Sequence, residues 1–342
     1  MIGENIKKYR LLKGISLRKF GELVGLSQTA ISKYEQNILK PDGEKLIKFA
    51  EVLDCKVLDL LKEQTKKRTL NLNFRKRNSL RGNKLELLKQ IINNKVNNYL
   101  DVLELNAINT QNIKKYKVTT LHDAEQAAIN FRLENKINEV FPLSNLCDII
   151  ENLGISVIII KNNQNTFEGF DGLSEVVNGF PFICISSDIN YYRQRFTLAH
   201  ELGHLLLDID SSIDEEKACN EFASALLLPK KALLLECGAK RNGLTDREYK
   251  IIRSEYNVSI KTIIYCLEKH KIITSNNAKL AYINFNKKYK DEEYNNIEKQ
   301  KEFPRKYEQL VLRLYSQNII TQSRYNELME DFNIDGQFSF RY

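Results

Sequence analysis

His200 and His204 stand four residues apart in the stretch Arg195-Phe-Thr-Leu-Ala-His-Glu-Leu-Gly-His-Leu-Leu-Leu207, with Glu201 directly after the first histidine. On an α-helix that separation puts both imidazoles on one face, one turn apart. Two imidazoles so placed can share one tetrahedral ion, and neutral imidazole suits zinc. A carboxylate at Glu201 can take a proton from water held by the metal without ligating the metal itself. Phe196, Leu198, Ala199, Leu202, Leu205 and Leu206 surround these three residues, so the helix is expected to be buried. Burying two imidazoles and an acid without partners would be costly, which argues against ordinary core histidines.

A catalytic zinc site needs a third protein ligand and an open position for water. Asp214 to Pro229 reads as a helix, charged at its start, apolar at its end and stopped by proline. At about 100° per residue, Glu216, Asn220, Ala223 and Leu227 form one stripe. Glu216 is therefore the expected third ligand. Asn220, one turn on, is expected to hydrogen-bond a ligand from outside the metal shell. Glu215 is the second choice, because the first turn of a helix is hard to phase. Acids also favour helix N-termini for reasons unrelated to metals.

Together, Arg195-Phe-Thr-Leu-Ala-His-Glu-Leu-Gly-His and Glu216-x-x-x-Asn220-x-Phe222-Ala223-x-x-Leu226-Leu227-x-Pro229 resemble the ImmA/IrrE family of zinc metallopeptidases. The resemblance runs from about Asp123 to about Thr274. It implies a gluzincin-like fold, Zn2+ bound by His200, His204 and Glu216, and Glu201 as general base. It also implies a regulatory protein substrate, a repressor or antitoxin-type partner, and a role in stress or mobile-element responses. Cys219 departs from the family's usual alanine, a change that a small buried thiol makes tolerable.

The first 62 residues read as five short helices. Ile2, Ile6, Tyr9 and Leu12 form the first stripe, and Phe20 and Leu23 point inward on the second. Gly25-Leu26-Ser27 makes a tight turn, Ser27 caps a helix carrying Ile31 and Tyr34, and two more helices follow. Ser16 to Asn37 resembles the Xre/Cro type of helix-turn-helix, which implies an operator in double-stranded DNA. Its outward residues Gln28, Thr29, Ser32 and Lys33 are the candidate DNA contacts. Leu17 replaces a glutamine common in that family, removing one expected phosphate contact.

The remaining elements position these two motifs. Residues 64–82 carry Lys66, Lys67, Arg68, Arg75, Lys76, Arg77 and Arg81 without an acid, a basic linker or an arm that reinforces phosphate binding. Leu85, Leu88, Ile92, Val96, Tyr99 and Leu103 mark a connector helix or homodimer seam. Helices are expected at 124–136 and 143–153, then a small antiparallel sheet from strands at 155–160, 169–177 and 182–186 with a turn at Asn178-Gly179. Asp188 is expected to cap the metal-binding helix. Tyr191, Tyr192, Arg193 and Arg195 include candidates for stabilising an oxyanion. Further helices are expected at 230–237, after Thr245 and at 260–269. A polar connection follows at 275–302, then two helices at 305–317 and 322–331. The division expected is a helix-turn-helix domain (1–63), linker and connector (64–118), peptidase domain (119–274) and helical C-terminal region (275–342).

The fold class expected is thus multidomain and mainly α, with a small α+β part. The 342 residues include 42% hydrophobic and 28% charged, a globular balance, and a net charge of +8 suits a polyanion partner. Six cysteines without a close pair fit a reducing cytoplasm, and the longest aliphatic run, Val157 to Ile160, excludes a bilayer-spanning helix. The leading expectation is a cytoplasmic DNA-binding regulator that cleaves a partner protein. The alternative is a non-proteolytic regulator or antitoxin-like protein whose zinc fold is structural or sensory.

Overall fold

The computed structural model describes residues 2–61, 82–110, 112–161, 167–288 and 301–332. The basic stretch from Lys66 to Arg81 lies outside the described residues. Among those described, the chain forms sixteen helices and two small sheets of two and three strands. It packs as two compact units, residues 1–98 with 164–170, and 99–163 with 171–342.

The first unit begins with α1 (Ile2–Leu12), α2 (Leu17–Val24), α3 (Gln28–Glu35), α4 (Gly43–Leu53) and α5 (Val57–Leu61). Ser16 and Ser27 each accept a backbone N–H three residues on, at 3.1 Å, which starts α2 and α3. Gly25 ends α2 in the left-handed conformation (φ 75°). Gly21 is where the two helices meet: a Cβ there would lie 2.5 Å from the Leu26 carbonyl oxygen. Ile6, Phe20, Val24, Ile31, Phe49, Leu53 and Leu60 fill the core. Ile6 and Phe20 of the expected stripes are buried and Ile2 and Tyr9 pack against the core, but the stripes end one residue off, since Leu11 and Val24 are buried while Leu12 and Leu23 are about half exposed. The buried Arg10–Glu35 pair, at 2.5 Å, ties α1 to α3.

α6 (Asn83–Leu105) follows, with Leu88, Ile92, Val96, Tyr99 and Leu103 buried. The second unit continues with β1 (Tyr116–Val118), α7 (Leu121–Glu134), α8 (Leu146–Asn152), β2 (Ser156–Ile160), β3 (Gly172–Val177), β4 (Phe180–Ser186) and α9 (Tyr191–Leu206). Next come β5 (Leu207–Ile209), α10 (Glu215–Leu227), α11 (Lys230–Cys237), α12 (Asp246–Tyr256), α13 (Ile260–Lys269) and α14 (Ser275–Lys288). α15 (Lys306–Ser316) and α16 (Gln322–Phe332) close the described chain.

Only the β3–β4 hairpin is antiparallel, turning at Asn178 and Gly179 with both φ positive. β2 pairs with β4 in parallel, so the sheet is mixed, because α8 and β2 enter from the far side of β4 rather than as a meander. β1 and β5 form a second parallel pair whose chain run continues straight out of α9. The helix expected to be capped by Asp188 is capped by Asn190, whose side chain accepts from Arg193 N at 2.9 Å. The segment expected as a polar connection contains α14, anchored by buried Ala278 and Phe285. Ala281 and Tyr282 also pack against the core of this unit, while most of the helix faces solvent. Residues 289–300 and 333–342 lie outside the described residues.

The core of this unit joins α7, α9, α10 and α13 to one face of the three-stranded sheet. Cys147, Cys219, Cys237 and Cys266 are buried free thiols within it, and Cys184 on β4 is a further buried free thiol. Among the described residues no helix is long and apolar enough to cross a membrane.

Candidate metal centre

α9 presents His200 and His204 toward α10, while Leu198, Ala199, Leu202, Leu205 and Leu206 bury its apolar side in the core. His200 Nδ1 lies 2.8 Å from Asn220 Oδ1, and His204 Nδ1 lies 2.8 Å from Glu215 Oε1. An amide or carboxylate oxygen can only accept, so each Nδ1 carries the proton and each Nε2 a lone pair. The two Nε2 atoms face each other at 3.2 Å. Two lone pairs at that distance repel, and a shared cation turns the arrangement attractive.

Glu216 closes the triangle, with Oε2 3.9 Å from His200 Nε2 and Oε1 3.8 Å from His204 Nε2. Ligands around a tetrahedral zinc at about 2.1 Å are about 3.4 Å from one another. The imidazole pair fits that edge closely, and the carboxylate needs to move in by roughly half an ångström. Its side chain, 44% exposed, lies on the solvent side of the cluster, so this movement meets little packing. The donor set of two imidazoles and a carboxylate, with Nδ1 protons fixed by outer partners, therefore fits zinc.

Glu201 sits beside this cluster, buried. Its Oε2 accepts a hydrogen bond from Ser174 Oγ on β3 at 2.8 Å. β3 approaches closely at Gly172, where a Cβ would lie 2.7 Å from Thr197 Cγ2 and 3.4 Å from Glu201 Cγ. That close approach delivers Ser174 to Glu201.

Sequence reasoning placed His200, Glu201, His204, Glu216 and Asn220 together, and the structure brings all five to one cluster. Glu215, the second choice as ligand, instead holds the His204 ring. Ser174 was missed, because a lone serine in a short strand carries no spacing signal. The candidates for an oxyanion donor fare differently. Arg195 is fully buried, paired with Glu302 and donating to the Leu143 and Ser144 carbonyls. The Tyr192 hydroxyl accepts from Arg253 at 3.0 Å, and Arg193 pairs with Asp171. Arg195 and Tyr192 are thus held within the fold, and Arg193 lies at the surface in an exposed ion pair. Tyr191 is half-buried against Arg195, and burial pushes its hydroxyl's pKa up.

In the first unit, α3 exposes Gln28, Thr29 and Lys33, while Ser32 is partly covered and accepts from Gln36 Nε2 at 3.3 Å. All four lie on the side of α3 away from Ile31 and the core.

Comparison with known proteins agrees with both regions. Residues 150–268 match the family described as the IrrE N-terminal-like domain, and residues 6–60 match the helix-turn-helix family. The chain is 40% identical over 65 residues to the HTH-type transcriptional regulator SinR of Bacillus licheniformis and, equally, of Bacillus subtilis. That stretch is 19% of this chain and 59% of each regulator. It is 35% identical over 100 residues to the radiation response metalloprotease IrrE of Deinococcus deserti, covering 25% of this chain and 35% of that protein. The chain thus spans well under two thirds of the relatives it matches. It joins a helix-turn-helix domain to an ImmA/IrrE-type domain of a metallopeptidase family.

Proposed function

We propose that the chain is a DNA-binding regulator whose second unit is a zinc-dependent endopeptidase acting on a regulatory partner protein. The observation that carries the reading is the facing Nε2 pair of His200 and His204 closed by Glu216, with Glu201 held beside it. Bound there, zinc supplies Lewis-acid polarisation of the scissile carbonyl and of a water. Glu201 takes up the proton of the attacking water at its carboxylate and passes it to the departing amine. Ser174 Oγ keeps that carboxylate aimed, and Asn220 and Glu215 keep both imidazoles presenting Nε2. β3 borders the three-stranded sheet with β4 on one side only, and its other edge suits an extended substrate backbone.

In the first unit, α3 is the recognition helix. Gln28 and Thr29 are placed to meet base edges, and Ser32 and Lys33 to meet bases or phosphates. A purely structural zinc site would use a closed shell and has no use for an acid positioned as Glu201 is.

The test is co-expression with the product of the adjacent gene, followed by mass spectrometry of fragments. Fragments made by the wild type and absent with Glu201→Gln, while zinc content and DNA binding persist, support the peptidase. Identical fragment patterns for the two would remove it.

A further inference from the structure

A recess of about 580 Å3 lies on the outer, Nδ1 side of His200. Leu121, Phe196, Tyr265 and Tyr282 give it an apolar, mainly aromatic wall, and Lys217 and Lys261 also line it. Two residues join it to the metal cluster. Phe196 stacks on the His200 ring with centroids 6.4 Å apart, and Asn220 both lines the recess and accepts from His200 Nδ1. The recess therefore begins one side chain from a candidate zinc ligand.

Its charge is one-sided. Glu221, the acid in the lining, is buried, accepts from the Tyr265 hydroxyl and is paired with Lys269. Lys217 and Lys261 are both exposed, the first 4.0 Å from the half-exposed Asp214 carboxylate and the second over the Phe285 ring. A volume in the usual range of ligand sites, about 300–1,000 Å3, holds more than one side chain. Burial of a large apolar residue against such a wall is favourable, because it removes apolar surface from water.

We infer that this recess is the side-chain subsite of the peptidase, which takes a bulky apolar or aromatic substrate residue beside the scissile bond, with an acidic neighbour held by Lys217 and Lys261. The inference rests on the peptidase reading. It gives that reading a substrate class: apolar-acidic sequences, with basic ones rejected by the two lysines.

The test uses the full chain loaded with zinc and a defined peptide library, with cleavage sites read by mass spectrometry. Wild type should enrich Phe, Tyr, Leu or Met on one side of the cut and Asp or Glu within the next two residues. Lys217→Glu with Lys261→Glu should lower kcat/KM for such peptides about tenfold and move the preference toward Lys and Arg. Leu121→Trp, which fills the recess from an exposed position, should shift the apolar preference toward Ala and Gly at unchanged zinc content. In parallel, binding of a fluorescent apolar-acidic peptide to the Glu201→Gln chain should weaken about tenfold with the two charge reversals. Cleavage without an apolar-acidic preference, or a preference unmoved by both sets of substitutions, overturns the subsite and leaves the peptidase standing. Absence of cleavage with retained, charge-dependent peptide binding overturns the peptidase and keeps the recess as a peptide-binding site. Absence of both overturns the two together.

Discussion

Gln194 and Arg195 at the start of α9 and His200, Glu201 and His204 at its end are similarly buried, yet the two groups are satisfied differently. At the start, the chain supplies opposite partners for the charged groups it buries. Arg195 pairs with Glu302 and donates to two carbonyls. Glu302 also accepts the Leu146 and Cys147 N–H groups at the start of α8, and Gln194 exchanges two hydrogen bonds with the Glu302 backbone. At the other end, acceptors converge on acceptors: two Nε2 lone pairs with the Glu216 carboxylate beside them. A self-neutralising cluster holds an architecture together, whereas converging like groups imply a cation from outside.

The contrast makes unequal predictions. Removing Arg195 should have the largest effect on stability, because it strands the Glu302 carboxylate away from water. Arg195→Ala is expected to lower unfolding stability by about 3–5 kcal/mol, measured by denaturant titration, and Glu302→Gln to cost less. By contrast, Glu215→Gln should leave apo stability nearly unchanged. It should weaken zinc affinity by about 10–100-fold in chelator competition, since a neutral amide holds the His204 tautomer less firmly. Ser174→Ala should leave zinc affinity unaltered and lower kcat by about tenfold, in line with roughly 1.5–3 kcal/mol for a hydrogen bond to a charged group. A loss of zinc in that variant would show Ser174 to be structural.

A further prediction concerns pH, at the attachment of the C-terminal helices. Glu151 accepts the backbone N–H groups of Arg305 and Lys306 at 2.9 and 3.0 Å. Burial pushes its pKa up from 4.5 to about 7, with those two N–H groups pulling the other way. A folded pKa above the unfolded one means that the folded form binds more protons between these values. The contribution of Glu151 to stability is thus full below about pH 4.5 and lost as pH rises through about 7. Glu151→Gln should flatten the pH dependence of melting across that window.

Much of the metal cluster was legible because helix periodicity converts spacing into geometry. His200 and His204 needed only their separation of four, and the stripe through Glu216 and Asn220 needed only a helix that starts near Asp214. The cap at Ser27 was legible for the same local reason. What was not legible depends on contacts between distant segments. Ser174 reaches Glu201 from 27 residues away because Gly172 lets β3 approach α9. Arg195 reads as a catalytic candidate by its place before the motif until Glu302, 107 residues later, occupies it. The parallel pairing of β2 with β4 likewise follows from how α8 packs, which no property of the strand itself specifies. In α1 and α2 only the last member of each stripe was off by one residue, because short helices phase poorly near their ends.

The account turns most directly on metal content. Native mass spectrometry of the purified full chain should find one zinc per molecule, with His204→Ala and Glu216→Ala binding at least tenfold more weakly and Arg195→Met, if folded, keeping its metal. A wild-type chain that takes up no zinc at micromolar concentration, or a His204→Ala chain that retains it undiminished, would contradict the claim that the end of α9 is built around a cation.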